Sequence, residues 1–151
     1  MSRHWRNRSG WAVAAVLTAA LVVPVADGIA AATKAGAVPA QLVGQWTRKV
    51  TAADVKRAGA PLFGGIPAGS VWTLTIKKSG AASVSSKGQG PPFTGKIVSA
   101  GANRVHINVG FLFPNVYRWR VSGRLLTFTK ISESPTQADR AAVFWGVWKR
   151  K

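Results

Sequence analysis

Side chains able to do acid–base, nucleophilic or metal chemistry are scarce in this chain. Beyond residue 32 there is one histidine, His106, and three carboxylates, Asp54, Glu133 and Asp139. His106 falls out of phase with Val105, Ile107 and Val109 on an alternating stretch, so it faces away from them and reads as a surface side chain. Asp54 stands three residues after Thr51 and reads as a helix-start residue. Asp139-Arg140 reads as an ion pair fixing the last loop. Glu133-Ser134 and His106 have no hydrolytic spacing. There is no G-x-S-x-G elbow, phosphate-cradling glycine loop or histidine–carboxylate metal spacing. The absence of cysteine removes thiol chemistry, cysteine-bound zinc and any disulfide framework. Haem would want a histidine inside the fold, and the phase of His106 argues against it. The expectation is a protein that is not an enzyme, with no catalytic residue, no metal and no cofactor.

Two residue sets remain, one apolar and one basic, and the elements that must position them are strands. Over 116–131, Tyr117, Trp119 and Val121 alternate with Arg118, Arg120 and Ser122. Ser122-Gly123 then turns the chain, and Leu126 and Phe128 alternate with Thr127 and Thr129. Period-two alternation marks strands with one buried and one solvated face, here a hairpin with an apolar side and a basic side. The same rhythm predicts strands over 42–50, 70–78, 81–87, 93–99, 104–111 and 141–150. A short helix is expected over 51–59, a loop over 60–69, and a polar connection over 132–140. Short turns between neighbours require antiparallel pairing. Eight such strands close into an all-β, up-and-down antiparallel barrel with one short helix after the first strand, which removes exposed edges. A flattened two-sheet sandwich is the alternative.

The amino terminus reads differently. Arg3, Arg6 and Arg8 precede an apolar run over 11–23, and small residues follow through Ala32. That is the pattern of a secretory signal peptide, with an A-x-A site ending at Ala32. Pro24 and Asp27 leave fewer than the roughly 18 to 20 uninterrupted apolar residues a membrane span wants. The expected organisation is a signal peptide over 1–32, a linker over 33–41 and a single domain over 42–151. Of the 21 Lys and Arg, 18 lie after residue 32 with three of the four acids, a net charge of 18 − 3 = +15. Such charge speaks of anionic surroundings rather than of fold.

Gly44-Gln45-Trp46 on the first strand resembles the G-x-W signature of lipocalins and related calycin barrels. The chain is also similar to small exported lipocalin-like domains of bacteria. Trp72, Leu74 and Ile76 match their W-x-L-x-I. Tyr117, Trp119, Val121, Gly123, Leu126, Thr127 and Phe128 match Y-x-W-x-V-x-G-x-x-L-T-F. Asp139-Arg140 and Gly146 through Arg150 match the closing D-R and G-x-W-K-R. The resemblance implies that Trp46 plugs one end of the barrel, with Arg150 or Lys149 packed across it. Gly44, Trp46, Trp148 and Arg150 are then the residues of barrel closure. The chain departs from the family in its helix, which lipocalins place after the last strand.

The inward set, Trp72, Leu74, Val105, Ile107, Tyr117, Trp119, Leu126 and Phe128, is the expected ligand-binding wall. The basic outer set includes Arg48, Lys49, Lys77, Lys78, Lys96 and Lys149, with its patch at Arg118, Arg120, Arg124 and Lys130. The leading expectation is a secreted or envelope-associated, monomeric binding protein that holds a small hydrophobic or amphipathic molecule in the barrel. The alternative is an envelope or protein-interaction module, including the protease-inhibitor type, with a filled barrel. That module would use its basic face on an anionic envelope polymer or lipid surface. Nucleic acid is not expected as a partner.

Overall fold

The computed structural model describes residues 36–59, 65–110 and 115–151. The signal peptide expected over 1–32 lies outside them, as do residues 33–35 of the expected linker. Alternation becomes eight strands: β1 (Gly44–Lys49), β2 (Val71–Ile76), β3 (Ala81–Ser86), β4 (Phe93–Ser99), β5 (Arg104–Val109), β6 (Asn115–Ser122), β7 (Leu125–Glu133) and β8 (Gly146–Arg150). Each pairs antiparallel with the next, and β8 returns to β1 through Trp46↔Arg150 and Thr47↔Lys149. The sheet is a closed up-and-down barrel, and no strand edge is left open.

Helix α1 (Ala52–Ala58) follows β1. Thr51 and Asp54 form a reciprocal capping box: the Asp54 N–H donates to Thr51 Oγ1, and the Thr51 N–H donates to Asp54 Oδ2 at 2.9 Å. Where the sequence reads a polar connection over 132–140 and a strand over 141–150, the structure differs. β7 runs to Glu133, a 3-10 turn follows at Pro135–Gln137, and α2 (Ala138–Phe144) precedes a shorter β8. The segment Ala138-Asp139-Arg140-Ala141-Ala142 is rich in helix formers and carries its acid in the first turn. True alternation begins only at Gly146.

The inward faces meet in a core whose largest fully buried side chains are Trp46, Trp72, Trp148, Tyr117, Phe128 and Phe144. Phe144 of α2 reaches into the barrel, its ring centroid 6.4 Å from both Tyr117 and Phe128 and 6.0 Å from Trp148. Tilted and edge-on ring pairs at such spacing fill volume and add attraction beyond area burial. Strands β5 and β6 are in register only at Arg104↔Arg118 and Val105↔Tyr117. Beyond that point the buried Asn115 amide substitutes for a strand, accepting from the Ile107 N–H at 2.6 Å and donating to its carbonyl at 2.7 Å. A bulge between Val116 and Tyr117 re-aims the start of β6.

Candidate functional site: a pocket at the helical end of the barrel

The barrel has two unlike ends. At the plugged end, where β1 starts and β8 stops, Trp46 is fully buried and its indole N–H donates to the Leu42 carbonyl at 2.8 Å. The Arg150 guanidinium lies over the Trp46 ring, 4.3 Å from its centroid, and donates to the carbonyls of Gln41 and Val43. Gly44, at φ +136°, lets the chain pass beneath it, and a Cβ there would stand 3.2 Å from Arg150 Nη1. Trp148 is also fully buried but faces the other, helical end, with its indole N–H toward the Phe144 carbonyl and its ring 5.9 Å from the Arg48 guanidinium.

At the opposite, helical end α1 and α2 pack against each other and are pinned by two buried ionic networks. Arg48 follows Trp46 at inward phase on β1 and is 6% exposed. It is therefore not part of the outer basic set in which the sequence places it. Its guanidinium bridges Asp54 Oδ2 at 2.7 Å and the Val143 carbonyl, in the last turn of α2, at 2.8 Å. Its Nε has no hydrogen-bond partner among the described residues. A Cβ on Gly146 would meet Arg48 Nη1 at 2.4 Å, so glycine is what leaves the guanidinium its place. Burial lowers the Arg48 pKa, with the Asp54 carboxylate opposing. Burial alone would push the Asp54 carboxyl up, but hydrogen bonds from the Thr51 N–H and hydroxyl and the Arg48 guanidinium together carry it below its ordinary value. Arg57 bonds Asp54 from the other side and donates to the Trp145 carbonyl at 2.7 Å.

The second network joins α2 to the sheet. Arg140 pairs with Glu133 through Nη2 and through Nε at 3.1 Å, both side chains being 2% exposed. The Tyr117 hydroxyl donates to the same carboxylate. Burial and the Glu133 charge raise the Tyr117 pKa far beyond the ordinary phenol value, so it remains a donor. The ion pair expected within Asp139-Arg140 is thus replaced by Arg140–Glu133. Adjacent helical residues point in different directions and do not face each other. Asp139 turns the other way, toward the backbone N–H of Ile66, and burial raises its pKa against that hydrogen bond.

Between α2 and the β2–β5 wall these elements leave a pocket of about 110 Å³. Trp72, Val84, Phe93 and Val109 form the sheet side, Val143 and Phe144 the helix side, and Ile66 the flank. Asp139 and Arg140 supply the polar groups. The Trp72 indole N–H is tied to Ser70 Oγ at 2.9 Å. Of the eight side chains expected as a ligand wall, Trp72 lines this pocket. Leu74, Val105, Ile107, Tyr117, Leu126 and Phe128 are fully buried in the packed barrel, and Trp119 is nearly so. The pocket residues Val84, Phe93, Val109, Val143 and Phe144 are absent from the expected set. The inward parity of Val84 and Val109 was a usable signal; the helical part of the wall had none.

The basic patch is also rearranged. Arg118 and Arg120 are exposed on β6, and Arg124 is exposed at the β6–β7 turn, donating to the Arg150 carbonyl at 3.2 Å. Lys130, beyond the bulge, pairs with Tyr117 and sits half-buried 4.9 Å from the Trp145 ring centroid. Arg57 approaches the same ring at 4.7 Å. His106 is half-buried on the outward phase of β5, and its Nδ1–H donates to the Asn115 carbonyl. Among the described residues no three His, Asp, Glu or Cys side chains gather as a metal site.

No family model matches the sequence, and no curated protein sequence matches it. Among solved structures, the chain is similar to that of a lipoprotein, YedD, from Klebsiella pneumoniae subsp. pneumoniae MGH 78578. It is 14% identical, with 79% of each chain covered and a TM-score of 0.45, too distant to carry function across.

Proposed function

We propose that this chain is a non-enzymatic, lipocalin-like binding protein of the secreted or envelope compartment, which takes a small hydrophobic or amphipathic molecule at the helical end of its barrel. The observation that carries this reading is the apolar pocket of about 110 Å³ beneath α2. An apolar cavity of about 150 Å³ is enough to bind benzene, so this one suits a single small ring or a short alkyl segment. A larger ligand would enter by one end only. The polar edge formed by Asp139 and Arg140 orients the remainder of an amphipathic molecule. The amino-terminal pattern over 1–32 supports the compartment.

The test is a titration of the protein with benzene, short alkyl alcohols and fatty acids, followed by NMR of the tryptophan indole N–H signals. Saturable shifts centred on Trp72, and lost in Val109→Phe, support the reading. Equal small shifts at every tryptophan, or none up to the solubility of the probes, contradict it.

A further inference from the structure

The outer face of β5–β8 carries a second pattern, which does not depend on the pocket. Three cross-strand rows define it. Arg104 stands opposite Arg118, which stands opposite Thr129. Arg120 stands opposite Thr127, which stands opposite Val147. Ser122 stands opposite Leu125, which stands opposite Lys149, with Thr47 of β1 beyond. Arg104, Arg118, Arg120 and Lys149 are all exposed.

Like charges directly opposite on neighbouring strands, as at Arg104 and Arg118, oppose sheet formation rather than help it. Among the described residues no carboxylate forms an ion pair with them. Asp54 is taken up by Arg48 and Arg57, Glu133 by Arg140 and Tyr117, and Asp139 lies at the pocket under α2. Within the same rows stand two large aliphatic side chains, Leu125 at 46% exposure and Val147 at 53%. A soluble polyanion rewards the arginines and leaves those two in water. A bilayer with acidic headgroups rewards both, the cations through its surface potential and the aliphatics through the headgroup–acyl boundary.

We infer that the β5–β8 face is a docking surface for an anionic lipid bilayer, with Arg104, Arg118, Arg120 and Lys149 on the headgroups and Leu125 and Val147 against the acyl boundary. The cations hold the face to the surface and the aliphatics set its depth. Binding therefore weakens with salt but is not abolished by it.

The experiment is co-sedimentation of the full chain with phosphatidylcholine vesicles, with and without phosphatidylglycerol, and in parallel its retention on immobilised heparin. Any contribution of the apolar stretch 11–23 is common to all variants and cancels in the comparison. Each cation near the surface contributes about fivefold, so Arg118→Ser/Arg120→Ser lowers partition onto phosphatidylglycerol vesicles by about 25-fold. Leu125→Ser/Val147→Ser lowers vesicle binding but leaves heparin retention unchanged. All four sites are exposed, and an unchanged near-UV spectrum confirms that the barrel is intact. The inference is overturned if the arginine variant sediments like the parent. It is equally overturned if the aliphatic variant does, which would make a soluble polyanion the partner of this face.

Discussion

Both ends of the barrel are closed by an arginine near a tryptophan, yet they are built on different physics. At the plugged end Arg150 covers Trp46 and donates to main-chain carbonyls; among the described residues no carboxylate pairs with it. At the helical end Arg48 lies 5.9 Å from the Trp148 ring centroid, but its partners are the Asp54 carboxylate and the end of α2. A half-exposed cation over a ring stays hydrated and tolerates salt and acid. A buried cation must be paired, and its pair can be broken by protonation. The plugged end is a fixed seam, whereas the helical end holds α2 in place through charges, and the pocket exists because α2 is held there.

That contrast predicts unequal costs. Glu133→Ala leaves Arg140 without its buried carboxylate and should cost on the order of 3–5 kcal/mol in a denaturant titration. The pocket should lose ligand uptake with it. Arg150→Met, at the other end, removes a half-exposed cation–π contact and two carbonyl bonds, and should cost about 1–2 kcal/mol. If the two substitutions cost the same, the proposed difference between the ends fails.

Gly146→Ala places a Cβ against the pinned Arg48 guanidinium and should cost about 2–3 kcal/mol. It should do so without altering the Arg150–Trp46 contact. The near-UV signal of the tryptophans, resolved by Trp46→Phe and Trp148→Phe backgrounds, separates the two ends.

The helical end should also carry most of the pH dependence, through two carboxyls of opposite sign. Asp54 has a folded pKa below its ordinary 3.8, so its stabilisation is present above that value and disappears as pH falls through the folded one. Asp139 has a folded pKa above 3.8, so between 3.8 and its folded value stability falls as pH rises. Asp54→Asn should flatten the acid limb of stability against pH, and Asp139→Asn should flatten the opposing slope just above it. Arg150→Met should leave both slopes as they are. The smallest effect lies on the outer face. Arg118→Gln relieves the contact with Arg104 and should be neutral or stabilising by a few tenths of a kcal/mol, roughly 0.2–0.5.

The strands and their order were legible because alternation is a local signal, and short turns leave antiparallel pairing as the natural order. The first helix was legible through Thr51 and Asp54, whose capping box is written within four successive residues. The second was not, because Ala141-Ala142-Val143-Phe144 suits a helix or a buried strand equally well, and Trp148, four residues after Phe144, invites the strand. The pocket needs that helix for one wall, so its composition could not be read before α2 was known. Arg48 teaches a different lesson: Trp46, Arg48 and Val50 share one phase, and the phase, rather than the charge, says where the side chain goes.

The most direct test of the claim that one end is sealed and the other receptive is a crystal structure of the protein under xenon pressure. Xenon enters apolar cavities of this size without needing a polar partner. A xenon site bounded by Trp72, Val84, Val109 and Phe144 is expected, and none beneath Trp46. A xenon site at the plugged end, or no site under α2, would contradict it.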